Sequence, residues 1–195
     1  MSNDAMERFK PEPDLGFDHE KSVEIIGFFL SEAGKPQDKL KLIKLIYLAD
    51  RLSMERRGKP LNFDSYYSLP HGPIASSALN GMNQMFAHRA WAKLAIAGDN
   101  RAVSAVKNIG TEHLSVAETK ILAETWKRYG HMNALEIRDW THKNCDEYVE
   151  VKSSRLSIDL DEIFEAVKVE DADGRARELK ALQRSLGRLA RACGT

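Results

Sequence analysis

One helix-forming segment constrains the fold more than any other part of this 195-residue chain. The run DKLKLIKLIYLADRLSMERRG spans residues 38–58, starts at a potential N-cap, Asp38, and ends at Gly58. Its leucines, isoleucines, tyrosine and alanine recur at helical spacing on nearly every side of the helix. A helix that is apolar around most of its circumference must be surrounded by other elements. The sequence therefore predicts a domain built around this segment.

Further helices are predicted on both sides of it. Residues 20–33 carry apolar side chains on one face, and Gly34-Lys35-Pro36 stops that helix. In a capping box, the residue before a helix and a glutamate three positions on cap each other. Three such pairs open helices here: Ser115 with Glu118, Asn133 with Glu136, and Asp159 with Glu162. The first of these helices is expected to run to Tyr129 and close at Gly130.

Extended structure is predicted in two places: residues 61–70, with Phe63, Tyr66 and Tyr67, form an extended or irregular stretch, and a hairpin follows later in the chain. Residues 91–106 form a β-hairpin pattern, with apolar residues on either side of the turn Gly98-Asp99-Asn100. Pro73 suits the first turn of a helix, whose buried side would carry Ile74, Ala78, Leu79 and Met82. The predicted fold class is mainly α: a compact domain of about six helices with one small β-hairpin, followed by a C-terminal amphipathic helix.

The C-terminal region changes character at the turn-like stretch DADG, residues 171–174. Residues 157–173 hold seven acidic residues and one basic residue, whereas residues 174–195 hold six basic residues and one acidic residue. A leucine stripe runs through the basic part at helical spacing: Leu179, Leu182, Leu186 and Leu189. This amphipathic helix is expected to be solvated or docked on its own domain. Its arginines, Arg184 and Arg188 among them, could instead meet phosphates, and its leucines could fill a protein groove.

Composition excludes several function classes. Lys plus Arg and Asp plus Glu both total 29, so no net charge draws the chain to nucleic acid or a membrane surface. The two cysteines, Cys145 and Cys193, lack disulfide-scaffold or metal-ligand spacing. The polar N-terminus has no apolar segment typical of a secretory signal. We expect a cytoplasmic protein without a membrane interaction.

The stretch YYSLPHGPIASS, residues 66–77, raises the question of catalysis. A histidine in a Pro/Gly turn could be catalytic, could bind a ligand, or could belong to the turn alone. The chain has no GxSxG, HExxH, P-loop or GxGxxG motif, and its six histidines are scattered singly. We therefore expect a protein that is not an enzyme, with no catalytic residue, cofactor or metal. A surface role through Tyr66, Tyr67 and His71 stays open, because exposed aromatic residues favour protein recognition.

Asp50 and Arg51, near the end of the central helix, are a second candidate. An aspartate in this position most often accepts hydrogen bonds from loop N–H groups or pairs with the neighbouring arginine. Its functional alternative is to anchor the turn at His71.

The order of several short motifs resembles the SocA-like antitoxin family, which is also called the Panacea domain. The matching residues are Lys41, Leu42, Lys44, Leu45, Tyr47 and Ala49; Gly58, Lys59 and Pro60; Asp64 and Tyr66; His71, Gly72 and Pro73; Leu114, Ser115 and Glu118; Tyr129 and Gly130; and Thr141 and His142. The likeness covers roughly residues 20–150. Asp146-Glu147-Tyr148 stands where the family has a Pro-Trp-like element.

This resemblance implies an antitoxin of a type II toxin–antitoxin system, which neutralises a toxin encoded by the adjacent gene through direct protein binding. The SocA-like branch further implies a proteolytic adaptor that delivers the toxin to the ClpXP protease. No catalytic residue comes with the family. The signature turn comprises Gly58, Pro60, Asp64, Tyr66, His71, Gly72 and Pro73. Candidate partner-binding residues are Tyr67, Leu182, Leu186, Leu189, Arg184 and Arg188.

The expected organisation has three parts. Residues 1–18 form a flexible lead, residues 19–155 the Panacea domain, and residues 156–195 a C-terminal helical extension. The alternative function is a nucleic-acid-binding regulator that uses the basic C-terminal helix; nucleic acid ranks behind a protein partner, because no aromatic residue is interleaved with the basic ones.

Overall fold

The computed structural model describes residues 16–192, and the side chains of residues 16–189. Most of the flexible lead expected at residues 1–18 lies outside this range. The elements, in chain order, are α1 (His19–Ala33), β1 (Gln37–Asp38), α2 (Lys39–Arg57), β2 (Tyr66–Leu69), β3 (Gly72–Ala75), α3 (Ser76–Met82), a 3-10 helix (Arg89–Lys93), β4 (Leu94–Ile96), β5 (Ala102–Ala105), α4 (Val116–Tyr129), α5 (Ala134–Asn144), β6 (Leu156–Ile158), α6 (Leu160–Ala166) and α7 (Ala172–Ala192). The mainly α fold class is confirmed.

Helix α2 lies at the centre of the core, as its apolar circumference predicts. It contacts α1, α3, α4, α5 and α6 and the strands β1 and β3. The N-cap is Asp38, whose carboxylate accepts the backbone N–H of Leu40 at 2.7 Å. The helix ends at Gly58, which adopts a left-handed φ of 66°. Burial of each large apolar side chain of such a helix stabilises the fold by about 1.5–3 kcal/mol relative to exposure.

The first sheet contains the predicted hairpin. Strands β4 and β5 pair antiparallel around the turn at 98–100, and Ile96 faces Val103. The short strand β1 adds to the other side of β5, which gives the order β1-β5-β4. This third strand joins the hairpin directly to the start of α2.

A second sheet, in the order β3-β2-β6, was not predicted. The helix start expected at Pro73 was wrong: Pro73 lies in strand β3 opposite Ser68, and the helix α3 begins at Ser76. Strand β3 pairs only with β2 in this sheet, so a residue without an N–H is tolerated there. The φ angle that proline fixes suits this extended position as well as it suits a helix start.

The C-terminal region packs onto the domain. Strand β6 pairs antiparallel with β2, and Ile163 and Phe164 of α6 are fully buried. The capping boxes that open α4, α5 and α6 are all present, as predicted. The stretch DADG is not a separate turn, because α7 already begins at Ala172 and Asp171 accepts the backbone N–H of Gly174 at 3.1 Å.

Candidate functional site

The last part of the signature turn, His71-Gly72-Pro73, lies where β2 connects to β3. It packs against the buried side chain of Lys44. Gly72 adopts a φ of 88°, a left-handed conformation that glycine reaches at little cost. The Lys44 ammonium donates to the Pro73 carbonyl oxygen at 2.6 Å and is completely buried. Burial lowers the pKa of Lys44 to about 7. His71, the residue that raised the question of catalysis, is exposed at the tip of this turn.

The turn also approaches α5 closely. A Cβ atom at position 72 would lie 2.8 Å from Cδ2 and Nε2 of His142, and 2.8 Å from Nζ of Lys44. The Nε2 atom of His142 is buried and has no hydrogen-bond partner among the described residues. Burial is the main cause that lowers the pKa of His142, and the nearby Lys44 adds to it. Gly72 is therefore required by space as well as by its backbone angle.

Asp64 fixes the start of α3 to the strand before it. Its two carboxylate oxygens accept the backbone N–H groups of Ser77 at 2.7 Å and Ala78 at 2.9 Å, and also that of Ser65 at 2.8 Å. These bonds satisfy N–H groups at the beginning of the helix, which otherwise lack an intrahelical partner. Asp64 thus has a structural role in this turn.

Asp50 holds the loop between α2 and β2. Its carboxylate accepts the backbone N–H of Leu61 at 2.8 Å and the hydroxyl of Tyr66 at 3.1 Å. The interpretation that Asp50 bonds to loop N–H groups is confirmed, whereas Arg51 pairs with Glu147 instead. Burial raises the pKa of Asp50 to about 7.

Substitution of Asp50 by asparagine should change the pH dependence of stability. Between about pH 4 and pH 7 the unfolded chain releases the Asp50 proton while the folded chain keeps it, so the free energy of unfolding falls as the pH rises. Lys44 acts in the opposite direction above about pH 7, where the unfolded chain binds the extra proton. Asparagine keeps an acceptor for Leu61 and removes the carboxyl group. We expect Asp50→Asn to remove up to about 4 kcal/mol of this fall, because three pKa units correspond to about 1.4 kcal/mol each, and to leave the rise above pH 7 unchanged.

Urea unfolding at a series of pH values from 4 to 9 measures both the fall and the rise of the free energy of unfolding. Asp146→Asn, at an exposed position, is the matched control and should keep the wild-type slope. If the free energy of unfolding of Asp50→Asn fell between pH 4 and pH 7 as steeply as that of the wild type, Asp50 would not be the group responsible for the fall.

Glu147 is a buried residue whose role the sequence did not reveal. Its Oε1 atom accepts the hydroxyl of Tyr47 at 2.6 Å and Nε of Arg51 at 2.9 Å. The Glu147 side chain is 0% exposed. Its Oε2 atom has no partner among the described residues. The only signal in the sequence was that residues 146–148 depart from the family pattern.

The thiol of Cys145 lies in the same buried region. Burial raises the pKa of Cys145 to about 12. A thiol with this pKa carries almost no thiolate at neutral pH and is a poor nucleophile.

The tyrosines of β2 point in opposite directions. Tyr66 is 2% exposed, so the surface role that the sequence left open does not apply to this residue. Tyr67, the next residue, faces the other side of the strand and is half-buried, and Cζ of Arg155 lies 4.8 Å from its ring centroid. Successive side chains of a strand alternate between its faces, which explains the difference.

The remaining candidate residues lie on α7. Leu182, Leu186 and Leu189 are 47%, 38% and 62% exposed, and Arg184 and Arg188 are exposed too. The candidate residues therefore form two groups. Most of the turn residues and their partners build the interior of the domain, whereas His71 and the residues on α7 lie on its surface.

Residues 16–192 contain neither a candidate metal site nor a candidate membrane-spanning helix. No group of three or more His, Cys, Asp or Glu side chains in this part of the chain could hold a metal ion. No helix there combines the length and the apolar character that spanning a membrane requires.

These features define a small, mainly α protein in which a lysine, two aspartates and a Gly-Pro turn organise the core. A family model described as "antitoxin SocA-like, Panacea domain" matches residues 42–147, more than half of the chain. The chain belongs to this family, and the resemblance found in its motifs is confirmed. The matched range begins inside α2 and ends at Glu147, so β6, α6 and α7 lie outside it. No curated protein and no solved structure matches this chain.

Proposed function

We propose that this chain is the antitoxin of a type II toxin–antitoxin system and neutralises its toxin by direct protein contact. The observation that carries the proposal is the family match over residues 42–147. The signature residues Lys44, Asp64 and Gly72 make structural contacts inside the domain. Partner recognition therefore falls to surface residues, and the partner is the toxin protein encoded by the adjacent gene.

Growth rescue tests this proposal. The adjacent gene is induced in a host that lacks both genes, with and without this chain, and colonies are counted. We expect growth arrest without the chain, rescue with it, and co-purification of the two proteins. A neighbouring product that is harmless alone, or that never forms a complex with the chain, would refute the proposal.

His71→Ala is expected to rescue growth as well as the wild type does. His71 is exposed at the tip of the turn, and the proposal gives it no part in any reaction. The colony count of this variant is compared with that of His131→Ala, another exposed histidine. Loss of rescue by His71→Ala alone, with wild-type melting temperature, would favour a reaction or a ligand at this turn.

Delivery of the toxin to ClpXP is a further part of the proposal, and it rests on the SocA-like branch of the family. Growth rescue repeated in a host without ClpXP distinguishes blocking of the toxin from its delivery to the protease. If the chain only blocks the toxin, rescue persists there and the toxin level stays constant. If the chain delivers the toxin, rescue fails and the toxin accumulates.

Nucleic-acid binding is the second candidate function, and one observation favours it. Arg184 and Arg188 are exposed, and no carboxylate of the described part of the chain forms an ion pair with either of them. Binding through such residues would weaken steeply with salt, because each neutralised phosphate releases counterions. A titration with duplex DNA from the upstream region of the gene, at 50 and 200 mM salt, tests it. No binding at the lower salt concentration would exclude this function.

A further inference from the structure

Helix α7 lies along the body of the protein instead of projecting from it. Its first half packs against α6 through the buried side chains of Ala176 and Leu179. Further along, a methyl group on Gly16 would lie 3.2 Å from the ring of Phe63 and 3.7 Å from Cδ1 of Leu186. Leu186, in the outer half of α7, therefore lies close to Gly16.

One flank of α7 carries three exposed leucines. Leu182, Leu186 and Leu189 follow each other at intervals of four and three residues, and the least exposed of them is 38% exposed. At 3.6 residues per turn, these positions lie on one side of the helix. Three large apolar side chains grouped on one helix flank are typical of an interaction surface, unlike single exposed leucines.

The opposite flank of α7 is basic. Arg177, Arg184 and Arg188 are exposed there, and no carboxylate of the described residues pairs with them. Lys180, which lies nearer the body, is instead within 3.7 Å of Asp161 and 3.9 Å of Asp159. The three arginines thus retain positive charge that α6 does not neutralise.

Small residues separate the two flanks. Ala181 and Ser185 are exposed on the outward side, midway between the leucines and the arginines. Their short side chains allow another helix to approach the backbone of α7. Such a helix would meet the leucines on one side and the long arginine side chains on the other.

The charge of α7 decides what kind of helix fits. Residues 174–195 hold six basic residues and one acidic residue, so two copies of α7 side by side would bring arginines against arginines. Like charges in such an arrangement oppose pairing. A second copy of this chain is therefore disfavoured, and an acidic segment is favoured.

We propose that the outer face of α7 is the docking surface for the toxin, and that it binds an acidic amphipathic helix. Apolar side chains of that helix cover Leu182, Leu186 and Leu189, and its carboxylates pair with Arg184 and Arg188. This inference rests on the proposed function. Because α7 lies outside the family-matched range, the proposed toxin contact lies outside the matched core.

A titration with the purified product of the adjacent gene tests the inference. Calorimetry compares the full chain with Leu182→Glu/Leu189→Glu and with Arg184→Glu/Arg188→Glu. The matched controls lie on α4: Val116→Glu, at a position that is 74% exposed, and Lys120→Glu, at an exposed position. We expect each α7 variant to bind at least tenfold more weakly and each control to bind within twofold of the wild type. The affinity of the wild type should fall with salt.

The failures of the two proposals are distinguishable. If the wild type binds the neighbouring product and both α7 variants bind equally well, the docking surface is wrong and the proposed function stands. If the wild type neither binds nor rescues growth, the proposed function itself fails. Melting temperatures confirm that every variant is folded.

If nucleic acid or a second copy of this chain bound the outer face of α7 instead, the same variants would give different results. Loss of DNA binding on arginine reversal, with toxin binding unchanged, would assign the basic flank to nucleic acid and overturn the inference. Conversion of a dimer to a monomer by the leucine variant, again with toxin binding unchanged, would assign the leucines to a second copy and would also overturn it.

Discussion

Replacement of Glu147 by alanine is expected to lower the free energy of unfolding by about 3–5 kcal/mol. Glu147 accepts the hydroxyl of Tyr47 and pairs with Arg51, and its side chain is completely buried. Alanine would leave the largely buried guanidinium of Arg51 without its counter-charge, and the buried hydroxyl of Tyr47 without its acceptor. Both groups would then bear the cost of having left water. Urea unfolding followed by circular dichroism measures the change.

Two variants show whether this cost belongs to the buried pair. Glu150→Ala, three residues on and exposed, should change stability by less than about 0.5 kcal/mol. Glu147→Gln keeps an acceptor for Tyr47 and removes the charge that faces Arg51, so its stability should fall between the two. If Glu147→Ala were as stable as Glu150→Ala, the Tyr47–Glu147–Arg51 contact would have no part in holding the segment after α5 against α2.

Gly72→Ala is expected to cost about 2–4 kcal/mol, the sum of a backbone contribution and a packing contribution. The left-handed φ of 88° is unfavourable for any residue with a side chain. In addition, the new Cβ would lie 2.8 Å from both the partly buried His142 and the fully buried Lys44. Lys44 cannot move away without losing its hydrogen bond to the Pro73 carbonyl oxygen. Thermal and urea unfolding both report the change.

Two other glycines separate these contributions. Gly34→Ala has the strained backbone without the close contact, because φ is 62° and nothing lies within 4 Å of the added Cβ. It should cost about 1–2 kcal/mol. Gly98→Ala has neither the strain nor the contact, since its φ is ordinary and its surroundings are open, so it should be nearly neutral. A cost at Gly72 no larger than that at Gly34 would show that the close approach to His142 is harmless.

Helix boundaries were predictable because the signals that set them are local. Asp38 and Gly58 delimit α2, and the capping box of Ser115 opens α4, each as the sequence indicates. In these cases the side chain that specifies the boundary lies within a few residues of the backbone group that it satisfies. The hairpin of β4 and β5 was predictable for the same reason, since one short turn brings its strands together.

Pairings between distant segments were not predictable from the sequence. Ser68 faces Leu156 across the second sheet, although nearly ninety residues separate them in the chain. Strand β3 was assigned to a helix because its proline is compatible with both structures, and only the pairing with β2 decides between them. Tertiary contacts outweigh local preference in a strand of four residues.

In the candidate site, too, local features were predictable from the sequence and contacts between distant segments were not. The motifs drew attention to the residues around the turn at 71–73, but they did not reveal that Lys44 and His142 enclose Gly72. Glu147 could not be foreseen either, because its partners, Tyr47 and Arg51, lie about a hundred residues earlier in the chain. A single carboxylate in a loop is ordinarily exposed, and only the fold places this one in the interior.

The pairing of β6 with β2 has a consequence for the solubility of the protein. Strand β2 has β3 on one side, so its other row of backbone N–H and C=O groups would face water if β6 were absent. An open row of this kind is a template on which a strand from another molecule can add, and aggregation begins in this way. A chain that ended before residue 156 would expose it beside Tyr67 and Leu69. The C-terminal segment therefore also protects the protein from self-association.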